Sequence, residues 1–233
     1  MSETESTKTL LLVPTQLELD HVSDRLTDRF AVEICGFGPI ASGIRTSQLL
    51  ATGKYRQVIL LGIAGTYDPT RLPVGQATTF AQVGCYGVGS GGGPNFQLPS
   101  ELGFPQLTIG NEKCFEALQL AECQAKCEAE DEAEDEADSS TLLQSGLLLT
   151  VCSAANDPGE VELRRQKFPE AIAEDMEAFS VALAARLHGL KTTVVRGVSN
   201  VAGDRDHANW KIAEAMHSAV DCLLTLQDRG NKF

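Results

Sequence analysis

A chain of 233 residues with 42% hydrophobic side chains can bury one sizeable core, so a single domain over residues 1–233 is expected. Its 19 Lys and Arg against 32 Asp and Glu give a net charge of −13, which repels phosphate and argues against nucleic acid as a partner. The opening MSETESTK is polar and no apolar run approaches the roughly 20 residues that cross a bilayer, so the reading is a soluble cytoplasmic protein with neither signal peptide nor membrane partner.

In chain order, TLLLVP (9–14) predicts a strand, followed by a helix over 16–27 that carries Glu18 in its first turn. FAVEIC (30–35) predicts a second strand, leading through GFGPIASG (36–43) into a helix over 40–52. That glycine turn lies between strand and helix, but its third glycine is misplaced for a dinucleotide, so it suits a small-molecule pocket. QVILLG (57–62) runs into the tight turn GIAGT, and GQATTFAQV (75–83) predicts a fourth strand. Residues 84–113, rich in Gly and Pro, read as an irregular excursion. Within them GVGSGG (87–92) matches G-x-G-x-x-G, but no helix follows to receive a pyrophosphate, and no cofactor is expected.

The stretch EAEDEAEDEAD (128–138) holds eight acids and no base, more than half of the net charge, and predicts a flexible acidic insert around 121–140. Beyond it come strands at 147–154, 171–176 and 192–200 and helices at 160–167, 176–188 and 210–226, with Trp210 either closing a pocket or, the favoured reading, opening the last helix. The strands are apolar almost throughout rather than alternating, which predicts helices on both sheet faces: an α/β fold, an α/β/α sandwich around one mixed central sheet. Seven scattered cysteines lacking C-x-x-C spacing read as reduced thiols. His21, His188, His207 and His217 have no metal-ligand spacing and read as surface or helix histidines, so no metal is expected.

Ligands of such sheets bind beyond the carboxyl ends of the strands, where this chain places Glu18, the GIAGT turn, Glu177 and Asn200. Glu174 and Asp175 read as helix-end acids, each complementing the macrodipole by roughly 0.3–1 kcal/mol. Glu177 differs, because helical spacing stacks it with Val181, Ala184 and Ala185 and a carboxylate there needs a partner. Arg196, inside an apolar strand, is one candidate and a bound ligand the other; the residues alone leave both open.

The segment AIAEDMEAFSVALAARLHGLKTTVVRGVSNVAGDRD resembles the carboxyl-terminal signature of the purine nucleoside phosphorylase and nucleosidase superfamily, an M-E pair before a helix and then a V-R-x-[IV]-S-[DN] strand. VPTQLELD, GFGPIASG and VILLGIAGTYDPTRLPVGQ extend the resemblance in the same order, and within the superfamily VPTQLE, GIAG and RGVSNVAGDRDHANWKIAEAM look most like the futalosine hydrolases. The resemblance implies a nucleoside phosphorylase-like fold and an N-glycosyl hydrolase, releasing hypoxanthine from futalosine in menaquinone biosynthesis and leaving dehypoxanthine futalosine. It implies Glu18 as the residue that activates water, Glu177 as the grip on the ribose hydroxyls, and Asn200 beside purine N7, with Ile63, Ala64, Gly65, Asp175, Met176 and Ser199 around the substrate. It also implies a homo-oligomer, a dimer or larger.

Two departures bear on the chemistry. Adenine-releasing members carry aspartate where this chain has Asn200, and an amide donates a hydrogen bond but transfers no proton; Asp204, Asp206 and Arg196 are the candidates for proton donor or support. Phosphorylases of the superfamily use arginines beside the first glycine loop and before the glycine turn, whereas LVPTQLE and VILLGIAG contain none, and Arg45 and Arg71 substitute poorly on spacing. Water is therefore the expected nucleophile. The rival expectations are a methylthioadenosine/adenosylhomocysteine nucleosidase, a purine nucleoside phosphorylase and a non-catalytic nucleoside-binding protein.

Overall fold

The computed structural model describes residues 8–26, 30–120 and 143–228. The acidic insert expected at 121–140 lies outside these residues. The chain enters on β1 (Lys8–Val13), makes the short helix α1 (Gln16–Asp20), and returns on β2 (Ala31–Ile34) into α2 (Gly38–Leu50) and the long β3 (Tyr55–Thr66). It continues through β4 (Ala77–Tyr86), α3 (Pro99–Leu102), the hairpin β5 (Leu107–Ile109) and β6 (Glu112–Cys114), and β7 (Ala117–Gln119). The last part is β8 (Leu143–Val151), α4 (Pro158–Lys167), β9 (Ala171–Asp175), α5 (Ala178–Leu187), β10 (Lys191–Val201) and α6 (Ile212–Asp228).

The mixed central sheet curls on itself. β3 pairs in parallel with β1 and β10, β10 antiparallel with β4, β4 in parallel with β8, β8 in parallel with β9, and β9 antiparallel with β3, so five strands form a closed ring from which β1 and β2 extend. The apolar runs are split between two layers, as a doubly covered sheet requires. Leu10, Leu12, Val58, Leu60 and Val194 pack in the core that includes Leu49 and Leu50 of α2 and Val181 and Ala185 of α5. Their strand neighbours Leu11, Ile59, Leu61 and Val195 face the core built on Met216, Val220 and Leu223 of α6.

Three expectations on the elements are corrected. The helix expected over 16–27 stops at Asp20 and is followed by a 3₁₀ turn at Ser23–Arg25. The excursion at 84–113 is more ordered than its glycines imply, since it contains the end of β4, α3 and the β5–β6 hairpin. Finally, α6 begins at Ile212 and Trp210 does not open it. No helix among the described residues is long and apolar enough to cross a membrane.

Candidate active site

One cavity of about 560 Å³ opens where β1, β3, β8, β9 and β10 end. That volume falls in the range of small-molecule sites, roughly 300–1,000 Å³. Glu18 lines it from α1, Ile63, Ala64 and Gly65 from β3, Ser199 and Asn200 from β10, and Asp175, Met176 and Glu177 from the junction of β9 with α5. Arg196, Asp204 and Asp206 do not line it.

Thr15 and Glu18 spell a capping box, T-x-x-E, and the threonine caps α1 by accepting Glu18 N–H at 3.2 Å. The glutamate carboxylate is bound elsewhere: Oε2 accepts the Thr15 hydroxyl at 2.6 Å and Oε1 accepts Ile63 N–H at 3.1 Å. The result is a buried carboxylate aimed at the cavity and fixed by two donors.

Glu177 precedes α5. Its Oε1 accepts Gly38 N–H at 3.0 Å, and its Oε2 accepts Arg196 Nη2 at 3.2 Å. Gly38 has φ +84°, a conformation open to glycine at no steric cost, so the GFGPIASG turn presents a backbone donor that a side-chain-bearing residue would present only under strain. Burial, opposed by the Arg196 charge, pushes the Glu177 carboxyl up to about 7, with Asp175 and Glu18 adding to the rise.

Arg196 is wholly buried and serves two acids at once. Its Nε donates to Asp175 Oδ2 at 3.1 Å and its Nη2 bridges Asp175 and Glu177, while Nη1 has no hydrogen-bond partner among the described residues. Asp175 also accepts the Thr150 hydroxyl at 2.6 Å and Ala178 N–H at 2.9 Å. The reading of Asp175 as a helix-end acid is thus incomplete: it holds the first turn of α5, but it also carries the main ion pair of a buried guanidinium. Burial opposes the Arg196 charge, and the surrounding carboxylates of Asp175, Glu177 and Glu18 outweigh it and raise its pKa.

The reading of Glu174 as a helix-end acid is overturned. It is a β9 residue, 4% exposed, whose Oε1 accepts Ala155 N–H at 2.7 Å and whose Oε2 accepts the Tyr67 hydroxyl at 2.8 Å and Arg164 Nη1. Arg164 also donates to Ser153 O at 2.8 Å, so this second ion pair secures the 151–155 wall of the cavity. Burial and the Glu174 charge push the Tyr67 phenol upward and keep it a donor.

Asn200 accepts the Ser199 hydroxyl on Oδ1 at 2.7 Å and donates from Nδ2 to Val201 O at 2.9 Å, which leaves one amide hydrogen for a ligand. Asp204 instead organises the rim: its carboxylate accepts Asp206 N–H and Asn209 Nδ2, each at 2.9 Å, and its carbonyl accepts Trp210 Nε1 at 3.1 Å. Trp210 and His207 line the cavity with ring centroids 4.7 Å apart, and the Arg205 guanidinium lies 5.2 Å from the Trp210 centroid. His207 is accordingly a cavity residue, and Trp210 belongs to the rim. Thr15, Gly38, Tyr67, Arg164 and the 151–155 wall were not singled out from sequence; the T-x-x-E pattern is the one signal among them that was present.

The family model for the phosphorylase superfamily matches residues 25–227, most of the chain and every strand after β1. The chain belongs to the phosphorylase superfamily. Among superfamily relatives it is similar to a futalosine hydrolase of Streptomyces coelicolor, 28% identical over 204 residues, covering 85% of this chain and 79% of that protein. It is also similar to a 5′-methylthioadenosine/S-adenosylhomocysteine nucleosidase of Bacillus pumilus, 30% identical over 193 residues, covering 82% and 77%. In fold it matches the Neisseria meningitidis 5′-methylthioadenosine/S-adenosylhomocysteine nucleosidase solved with methylthio-immucillin-A, with TM-score 0.72 and 13% identity, covering 96% of this chain and all of that one.

Proposed function

We propose that this protein is a nucleosidase that hydrolyses the N-ribosidic bond of a 6-oxopurine nucleoside, with futalosine as the substrate, in the cytoplasmic route to menaquinone. N-glycosyl hydrolysis is the class both sequence relatives share. The observation that carries the reading is that two buried carboxylates from distant parts of the chain, Glu18 and Glu177, line one cavity beside Asn200. Breaking the bond builds positive charge on the sugar, and anions fixed around it stabilise that charge. Glu177 accepts the ribose hydroxyls, Glu18 orients a water and takes its proton, and Met176 lies against the sugar. The free Asn200 amide hydrogen is donated to the departing base at N7.

The placement of the arginines favours water over phosphate. Neither Arg45, which pairs with Glu33 and Gln48, nor Arg71 lines the cavity, and among the described residues Arg205 on the rim is the one arginine that does. Asn200 favours a 6-oxopurine over adenine, since adenine departs more readily when N7 receives a proton. Incubation with futalosine, inosine and methylthioadenosine, each with and without phosphate, tests the reading by base release. Hypoxanthine release independent of phosphate is expected; phosphate-dependent turnover would sink it, and rapid adenine release would favour the methylthioadenosine alternative.

The same reading includes a homo-oligomer. Leu17 and Phe37 at the cavity mouth are 59% and 67% exposed, and Ile40 and Ile44, one turn apart on α2, are 77% and 68% exposed. A second copy covering this apolar face would also roof the cavity, and light scattering on wild type and on Ile40→Glu/Ile44→Glu measures it: a dimer or larger, and a monomer.

A further inference from the structure

We infer that Arg205 recognises a carboxylate carried on the 5′ side of the nucleoside, at the end of an apolar arm. The inference rests on the nucleosidase reading, which puts the base at Asn200 and the ribose hydroxyls at Glu177. A nucleoside held at those two points has C5′ left as its outward point of substitution. The part of the cavity lining not yet engaged is the loop between β10 and α6, which carries Arg205, His207 and Trp210.

The charges around the cavity call for an anionic ligand at this loop. Four acids line it, Glu18, Glu174, Asp175 and Glu177, in a chain of net charge −13. Among the described residues Arg205 is the one Lys or Arg that joins them. A ligand bearing a carboxylate would be repelled from such a cavity unless a cation met it at the rim. A neutral nucleoside would need none.

The guanidinium is positioned without being neutralised. It lies 5.2 Å from the Trp210 ring centroid, and the indole is fixed in turn by Nε1 donating to Asp204 O at 3.1 Å. Asp204 and Asp206 flank Arg205 in sequence, yet both carboxylates accept bonds from the loop itself. Asp204 takes Asp206 N–H and Asn209 Nδ2, and Asp206 takes Ala208 N–H at 3.0 Å. Among the described residues Arg205 forms no ion pair. Its planar fork therefore stays open to a carboxylate gripped through two parallel hydrogen bonds. Phe37, Trp210 and Ile212 line the same cavity and offer the arm between sugar and carboxylate an apolar wall.

The test compares two hypoxanthine nucleosides that differ in charge alone, inosine bearing a 5′-carboxyphenylthio group and the matching carboxamide, on wild type, Arg205→Met and Arg205→Lys. Base release gives kcat/KM, and calorimetry gives Kd for a nucleoside that is not turned over. Wild type is expected to favour the acid over the amide by about tenfold, with the preference shrinking as ionic strength rises. Arg205→Met should bring the ratio close to one, and Arg205→Lys should keep part of it. A ratio near one in wild type, a ratio that persists in Arg205→Met, or a stronger preference for inosine 5′-phosphate than for the acid overturns the inference. Should Arg205→Met fail to fold, the salt series on wild type decides, and a ratio indifferent to salt overturns it. Acid-selective binding that depends on Arg205, without base release, sinks the hydrolase reading and leaves this one standing. Base release with no selectivity for the acid does the reverse.

Discussion

Gly62 and Arg196 face each other across the β3–β10 ladder, and the guanidinium occupies the space that any side chain at position 62 would need. A Cβ there would collide with Nη1 and stand 2.8 Å from Glu18 Oε1. This glycine is what lets a buried cation lie behind both carboxylates. Gly62→Ala is therefore expected to destabilise the fold by about 1–3 kcal/mol and to lower kcat by about 100-fold through displaced acids, measured by urea unfolding and by base release.

Glu18 and Glu177 should fail differently. Glu18→Gln keeps the Ile63 hydrogen bond on its amide oxygen and turns its NH2 towards the Thr15 hydroxyl as a donor, but removes the base, so kcat should fall by about 100- to 10,000-fold with KM little changed. Glu177→Gln weakens the hold on ribose, and kcat/KM should fall with a clear rise in KM. Equal losses in kcat alone for both variants would contradict this division of roles.

The raised Glu177 carboxyl makes two pH dependences, of opposite sign. Its pKa moves from 4.5 to about 7, so between these values the folded protein keeps a proton that the unfolded chain has released. Its contribution to stability is thus fully present below pH 4.5 and is lost as pH rises through about 7. Binding of ribose hydroxyls requires the ionised form, so kcat/KM should rise across pH 7 and level off above it. Both limbs should vanish in Glu177→Gln, read from thermal melts and from initial rates over pH 5–9.

Asn200→Asp supplies the proton that the amide withholds. The Ser199 hydroxyl that donates to Oδ1 can donate equally to a carboxylate, and the bond now made by Nδ2 to Val201 O survives when the second carboxyl oxygen carries a proton, the one the base needs. Release of adenine from methylthioadenosine is expected to increase at least tenfold relative to release of hypoxanthine from inosine, a shift checked by chromatography of the free bases.

Arg164→Ala would strand Glu174 as an uncompensated buried charge, at a cost of about 3–5 kcal/mol, and would free Ser153 O from its donor. Replacing both partners, Arg164→Met with Glu174→Leu, should recover most of the stability. Chemical denaturation of the three proteins resolves the difference.

Much of this architecture was legible in the sequence because it rests on local patterns. The uninterrupted apolar runs marked β1, β3 and β10, and their division between two cores confirms helices on both faces. The illegible parts depend on partners far apart in the chain. Glu174 and Asp175 look like helix-end acids when only their neighbours are considered, yet Glu174 meets Arg164 ten positions away and Tyr67 107 positions away, and Asp175 meets Arg196 21 positions away. Trp210 read as a helix opener because its bond to Asp204 O depends on the fold of the rim, not on helical spacing.

The ring of strands is completed by β10, the last strand to leave the ribosome. Until it docks, β3 and β4 keep open hydrogen-bonding edges, and Asp175 and Glu177 have no cation to share their burial. Final folding and the creation of a working floor are therefore one event. A nascent polypeptide halted before Lys191 holds every other described strand and both Glu18 and Glu177, yet lacks the Arg196 that pairs with Asp175 and Glu177 and the Asn200 that lines the cavity beside them.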